Sequence, residues 1–113
     1  MARVVAFIPD LLFGSGVVSA LQSAGHQVEL RSEFDDLAGA ELLIVDLTSD
    51  PGERIERFRE RRPEGVPGLA FYSHVEADVR TRAEAAGFEL VVPRSRMARE
   101  GAAMVDRLLE RGD

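Results

Sequence analysis

The chain has 113 residues, with 14 basic side chains against 20 acidic ones, a net charge of −6 and no cysteine. A single domain over residues 1–113 fits this length, which suffices to bury roughly two-thirds of the unfolded chain's surface. Disulfides, thiolate metal sites and cysteine nucleophiles are excluded by inventory, and a cysteine-free chain suits the cytoplasm. Every basic residue is Arg, so Schiff-base chemistry and a phosphate-loop lysine are also excluded. The acidic balance opposes binding to nucleic acid or to an anionic membrane. No apolar run approaches the ~18 residues of a membrane span, and the N-terminus reads as a strand rather than a leader peptide.

Strand-like and helix-like stretches alternate along the chain. Arg3 to Ile8 is β-branched and apolar and stops at Pro9. Leu11 to Ala24 carries Leu12, Val17, Leu21 and Ala24 at near-helical spacing before Gly25 ends it. His26 to Arg31 alternates as an edge strand does, and Glu33 to Gly39 offers little more than one helical turn, a shortened second helix. Leu42 to Val45 is uniformly apolar, as a central strand covered on both faces would be, with Asp46 at its carboxyl end.

Asp50-Pro51 then reads as an N-cap followed by proline at the first helical position. The helix runs on to Arg62, turning Ile55 and Phe58 toward the core, and its Glu53 and Arg57 are spaced for an ion pair. The interleaved arginines and glutamates of this stretch read as a solvated face. Gly68 to Tyr72 is a short buried strand ending at Ser73-His74, and a helix follows from Glu76 to Ala86. Leu90 to Val92 is the last strand. Met97, Gly101, Met104, Val105 and Leu108 share one stripe of a final helix.

Five strands separated by helices imply a doubly wound parallel α/β sheet, order 2-1-3-4-5, with helices on both faces. Functional groups of such sheets gather beyond the carboxyl ends of the strands, near the switch between the first and third. Asp10, Asp46, Ser73 and Arg94 each fall just past a strand end. Each also has a plainer role: Asp10 as a helix N-cap, Asp46 as an acceptor for loop amides, Ser73 as a cap. Gly14-Ser15-Gly16 is a possible anion loop, or simply the close packing of the first helix. His26 and His74 are too few for a histidine metal cluster.

Those four strand-end residues make the chain similar to the receiver domain of bacterial response regulators, from Arg3 to about Leu109. Receivers carry acids after the first strand, a phospho-accepting Asp after the third, Ser or Thr after the fourth and Lys after the fifth. The matching places hold Asp10, Asp46, Ser73 and Arg94, and Gly87 to Arg94 keeps the receiver spacing. The resemblance implies a flavodoxin-like fold and a role in two-component signalling without enzymatic activity or a separate output domain.

The departures imply a degenerate, pseudo-receiver form. Pro9 occupies one acidic place, leaving Asp10 and Asp46 as the metal-facing carboxylates, so Mg²⁺ would be held weakly or not at all. Arg94 replaces the lysine and is expected to pair with Asp46. Val91 stands where receivers carry a switch aromatic, and the stretch between Asp10 and Asp46 is several residues short. The expected function is signalling through a protein partner or a homodimer, the latter using Met97, Met104 and Leu108. The alternatives are a phosphorylatable receiver with Asp46 as acceptor, and a nucleotide- or flavin-binding module using the crevice beside Gly14-Ser15-Gly16.

Overall fold

The computed structural model describes residues 2–73 and 77–111. The elements follow in the order β1 (Arg3–Phe7), α1 (Leu11–Ser23), β2 (Gln27–Leu30), β3 (Leu42–Asp46), α2 (Pro51–Arg61), β4 (Gly68–Tyr72), α3 (Ala77–Ala85), β5 (Leu90–Pro93) and α4 (Arg94–Arg111). The five strands form one sheet in the order β2-β1-β3-β4-β5, every neighbouring pair parallel. Parallel strands need crossovers, and helices on the two faces supply most of them. Among the described residues no helix is long and apolar enough to cross a membrane. Glu76 and His74 lie outside the described residues, so α3 is traced from Ala77.

Two apolar layers sandwich the sheet. Side chains alternate faces along each strand, so Val4, Ala6, Leu42, Ile44, Leu69 and Phe71 pack against Val17 and Leu21 of α1 and Met97, Met104, Val105 and Leu108 of α4. The opposite residues, Val5, Phe7, Leu43, Val45 and Ala70, pack against Ile55 and Phe58 of α2 and Val79 and Ala83 of α3. The Phe58 ring stacks on Phe88 at 3.8 Å between centroids, and a side chain at Gly68 would run into that ring. Glycine there is a packing requirement.

The shortened second helix is not formed. Residues 31–41 make an irregular crossover between β2 and β3, leaving four helices among the described residues. Two left-handed positions, Asp36 at φ 55° and Gly39 at φ 87°, break any helical run. Arg31 fastens the loop by donating to the carbonyls of Asp35 (2.9 Å) and Asp36 (2.6 Å). The loop does part of a helix's packing nonetheless: Phe34 stacks on Phe7 at 3.8 Å, and Leu37 and Ala40 are buried.

Two smaller expectations are also corrected. Glu53 and Arg57 are not within ion-pair range among the described residues; Glu56 and Arg59 pair instead, at 3.2 Å. Asp50 precedes α2 as foreseen, but it is left-handed (φ 47°) and its side chain makes no capping bond.

Candidate functional site

The carboxyl ends of β1, β3, β4 and β5 open on one cavity of about 640 Å³, whose walls include Asp10, Asp46, Ser73 and Arg94. The four residues singled out by their positions in the sequence are therefore brought together. Parallel strands in this order make that unavoidable, since each strand ends on the same edge of the sheet and the central three lie side by side.

Asp10 sits on the Ncap of α1, and its Oδ1 accepts from the Phe13 amide at 3.1 Å. Its other oxygen, Oδ2, accepts from Arg94 Nη2, also at 3.1 Å. Arg94 opens α4 directly from β5 and lays its guanidinium over the Phe13 ring, 4.2 Å from the centroid. Ion pair and cation-π contact together fix the arginine across the rim, although both charged side chains remain about half exposed.

Asp46 ends β3 and is the one buried charged residue among those described, 4% exposed. Its Oδ1 accepts both the amide (2.8 Å) and the hydroxyl (2.6 Å) of Thr48. This local turn satisfies half of the carboxylate within two residues. The expected Arg94–Asp46 pair is not made: Arg94 bonds Asp10 instead, because the Phe13 ring draws the guanidinium toward the start of α1. Sequence reasoning missed Thr48 and Phe13; the Asp-Leu-Thr run carried a readable signal for the first, as a hydroxyl two residues after Asp favours such a turn.

The donor set does not suit a strong divalent-cation site. Hard cations want several free oxygens, and among the described residues two carboxylates reach this cavity. Asp10 has both oxygens engaged and Asp46 has one. Among the described residues no three His, Asp or Glu side chains come together as a metal set.

Gly14-Ser15-Gly16 is no anion loop. All three residues lie inside α1, the Gly14 amide donates to the Asp10 carbonyl at 2.8 Å, and no loop of free amides is presented. A Cβ at Gly14 would stand 3.3 Å from Leu30 and 3.5 Å from Ile8, so its absence lets α1 settle on the sheet. The interface expected from Met97, Met104 and Leu108 is also overturned. They are 2%, 0% and 4% exposed and close the core, because a terminal helix in this fold needs its whole apolar stripe to cover one half of the sheet.

No protein-family profile matches the chain, and no curated protein is similar to it in sequence. Solved structures are similar in fold. The receiver domain of a Francisella response regulator (1452) superposes with a TM-score of 0.84 at 10% identity, covering 100% of both chains. The non-phosphorylated HemR receiver domain of Leptospira biflexa gives 0.77 at 17% identity, over 96% of this chain and 94% of that one. A CheY-like receiver domain protein of Methanospirillum hungatei gives 0.81 at 16%, over 99% and 96%. With the strand order and the shared cavity edge, these likenesses establish that the chain has the CheY-like, flavodoxin-type fold of response-regulator receiver domains.

Proposed function

We propose that this protein is a signalling module of receiver type that acts by protein contact, and that cation-assisted phosphorylation of Asp46 is not its normal mode. The reading rests on the Arg94–Asp10 pair. A receiver loads its aspartate through a cation shared by neighbouring acids. Here a proline fills one acidic place, and the remaining acid is already neutralised by a guanidinium held over Phe13. A cation entering the cavity would have to displace Arg94 and would be repelled by it. Without loading there is no phosphate-dependent switch, so the module's state is set by what binds its surface.

One observation favours a second reading, a phosphorylatable receiver. Asp46 Oδ2 accepts no hydrogen bond among the described residues and belongs to a side chain that lines the cavity. Acetyl phosphate with Mg²⁺, followed by intact-mass measurement, separates the two. The expected result is an unmodified chain. A single-phosphoryl adduct that disappears in Asp46→Asn would overturn the proposal and establish the second reading.

A further inference from the structure

The outward face of α1 contradicts the rest of the surface. In a chain that is 30% charged, Leu11–Ser23 contains no charged residue at all. Its first turn carries Leu11 and Leu12, 73% and 87% exposed, the sole large hydrophobic side chains so exposed among the described residues. Beside them an apolar groove of about 670 Å³ runs between α1 and α4, walled by Leu12, Gly16 and Ala20 on one side and Ala98, Gly101 and Ala102 on the other.

Gly16 is the decisive residue. A glycine inside a helix destabilises it relative to alanine, so it needs a reason. Gly14 has one within the chain, the close approach of Leu30. A Cβ at Gly16 would meet nothing within 4 Å. The missing side chain leaves room for something the chain itself does not supply.

We propose that a second copy of this chain fills that space, in a twofold dimer crossing α1 on α1 at Gly16. Leu12, Gly16 and Ala20 form one i, i+4, i+8 ridge, the row used when helices pack ridge into groove. Turned antiparallel about Gly16, each copy lays its protruding Leu12 over the other's Ala20, so knob and hollow lie on the same patch, as a twofold interface requires. The rim agrees: Asp10 pairs with Arg94 and Glu100 with Arg99 within the chain, so the groove is edged by neutral pairs. A patch without net charge meets its own copy without repulsion, whereas the net −6 of the whole chain opposes approach by other faces.

The size is sufficient for a weak dimer. Helices about 10 Å wide and roughly 20 Å long, two per copy, give a footprint on the order of 400 Å². Ridged surfaces exceed their footprint, which brings two copies near the ~1,000 Å² total of a specific interface. The groove shares Asp10, Phe13, Arg94 and Ala98 with the strand-end cavity, so the partner copy would close over the Arg94–Asp10 pair.

The inference deepens the protein-contact part of the reading above and rests on it, yet fails separately: an Asp46 adduct would leave association untouched. Sedimentation equilibrium from micromolar to millimolar concentration is the test. The wild type is expected to dimerise. Leu12→Glu is expected to remain monomeric with an unchanged melting temperature, since Leu12 is 87% exposed. Gly16→Ala should weaken the dimer at least tenfold without lowering the monomer's melting temperature. A wild type monomeric throughout would overturn the proposal, and so would a dimer that both variants leave intact.

Discussion

Helices α1 and α2 lie on opposite faces of one sheet and solve the same problem with opposite surfaces. Each is fastened by a few side chains, Val17 and Leu21 in α1, Ile55 and Phe58 in α2. Outward, α2 is charged at Glu53, Glu56, Arg57, Arg59, Glu60 and Arg61, while α1 shows leucine, serine, glycine and alanine. Packing against the sheet dictates neither choice, because both outward faces lie away from the core. A charged outward face is what water selects; an uncharged one, in so charged a chain, marks a requirement outside the monomer.

The comparison breaks most severely at the anchor of α2. Phe58 is fully buried, stacked on Phe88 and covered by the Arg62 guanidinium 4.7 Å from its centroid. Phe58→Ala should destabilise by about 3–5 kcal/mol in urea denaturation, close to unfolding a marginal domain. Nothing on the outward face of either helix should approach that.

At the start of α1, Asp10→Ala removes both the cap on Phe13 and the partner of Arg94, an expected loss of about 1 kcal/mol. Asp10→Asn, which keeps the cap oxygen and drops the charge, should lose less, since a half-exposed pair contributes at most ~1 kcal/mol. The difference between the two variants measures the cap, and Asp10→Asn against the wild type measures the ion pair.

Within α1, alanine at the two glycines should act in opposite directions. Gly16→Ala is expected to raise monomer stability by about 0.5–1 kcal/mol, because the helix gains propensity and nothing is crowded. Gly14→Ala must push Leu30 aside and should give no such gain. Thermal melts in the Leu12→Glu background, which is expected to be monomeric, would show the contrast.

The smallest effect belongs to the edge strand beneath α1. The hydrogen bond from Arg31 to Glu29, with the Arg31 charge and Arg3 adding to it, holds Glu29 below the ordinary carboxylate value. A lowered folded value contributes stability above the unfolded pKa and loses it as pH falls through the folded one. Glu29→Gln should therefore lower stability slightly at neutral pH, leave it unchanged below the folded value, and so make the acid limb of a stability–pH profile slightly shallower, a small effect as suits an exposed pair.

The strands were legible because burial on both faces leaves an unbroken apolar run, as at Leu42–Val45, and the strand-end residues followed from strand order alone. The residues between Arg31 and Glu41 were not. Phe34 and Leu37 are three apart, which reads as a helical turn, while the bonds from Arg31 to two loop carbonyls depend on a fold not yet formed. Arg94 was placed on the correct rim but given the wrong partner, because the choice between Asp10 and Asp46 turns on the aromatic face of Phe13. The stripe of Met97, Met104 and Leu108 looks the same in sequence whether it meets the sheet or another protein. The exposed leucines fell on the helix whose spacing seemed to bury Leu12.

The two outer strands, β2 and β5, are the shortest of the sheet, four residues each against five in the others. One carries Glu29 gripped by two arginines, and the other ends in Pro93, which has no amide to donate. Such edges are poor templates for an additional strand. Backbone-mediated growth of the sheet, whether by a bound peptide or by runaway stacking of copies, is thereby discouraged on both flanks. Any lasting assembly of this protein must be specified by side chains on its helices, which makes its partners mutable one residue at a time without disturbing the sheet.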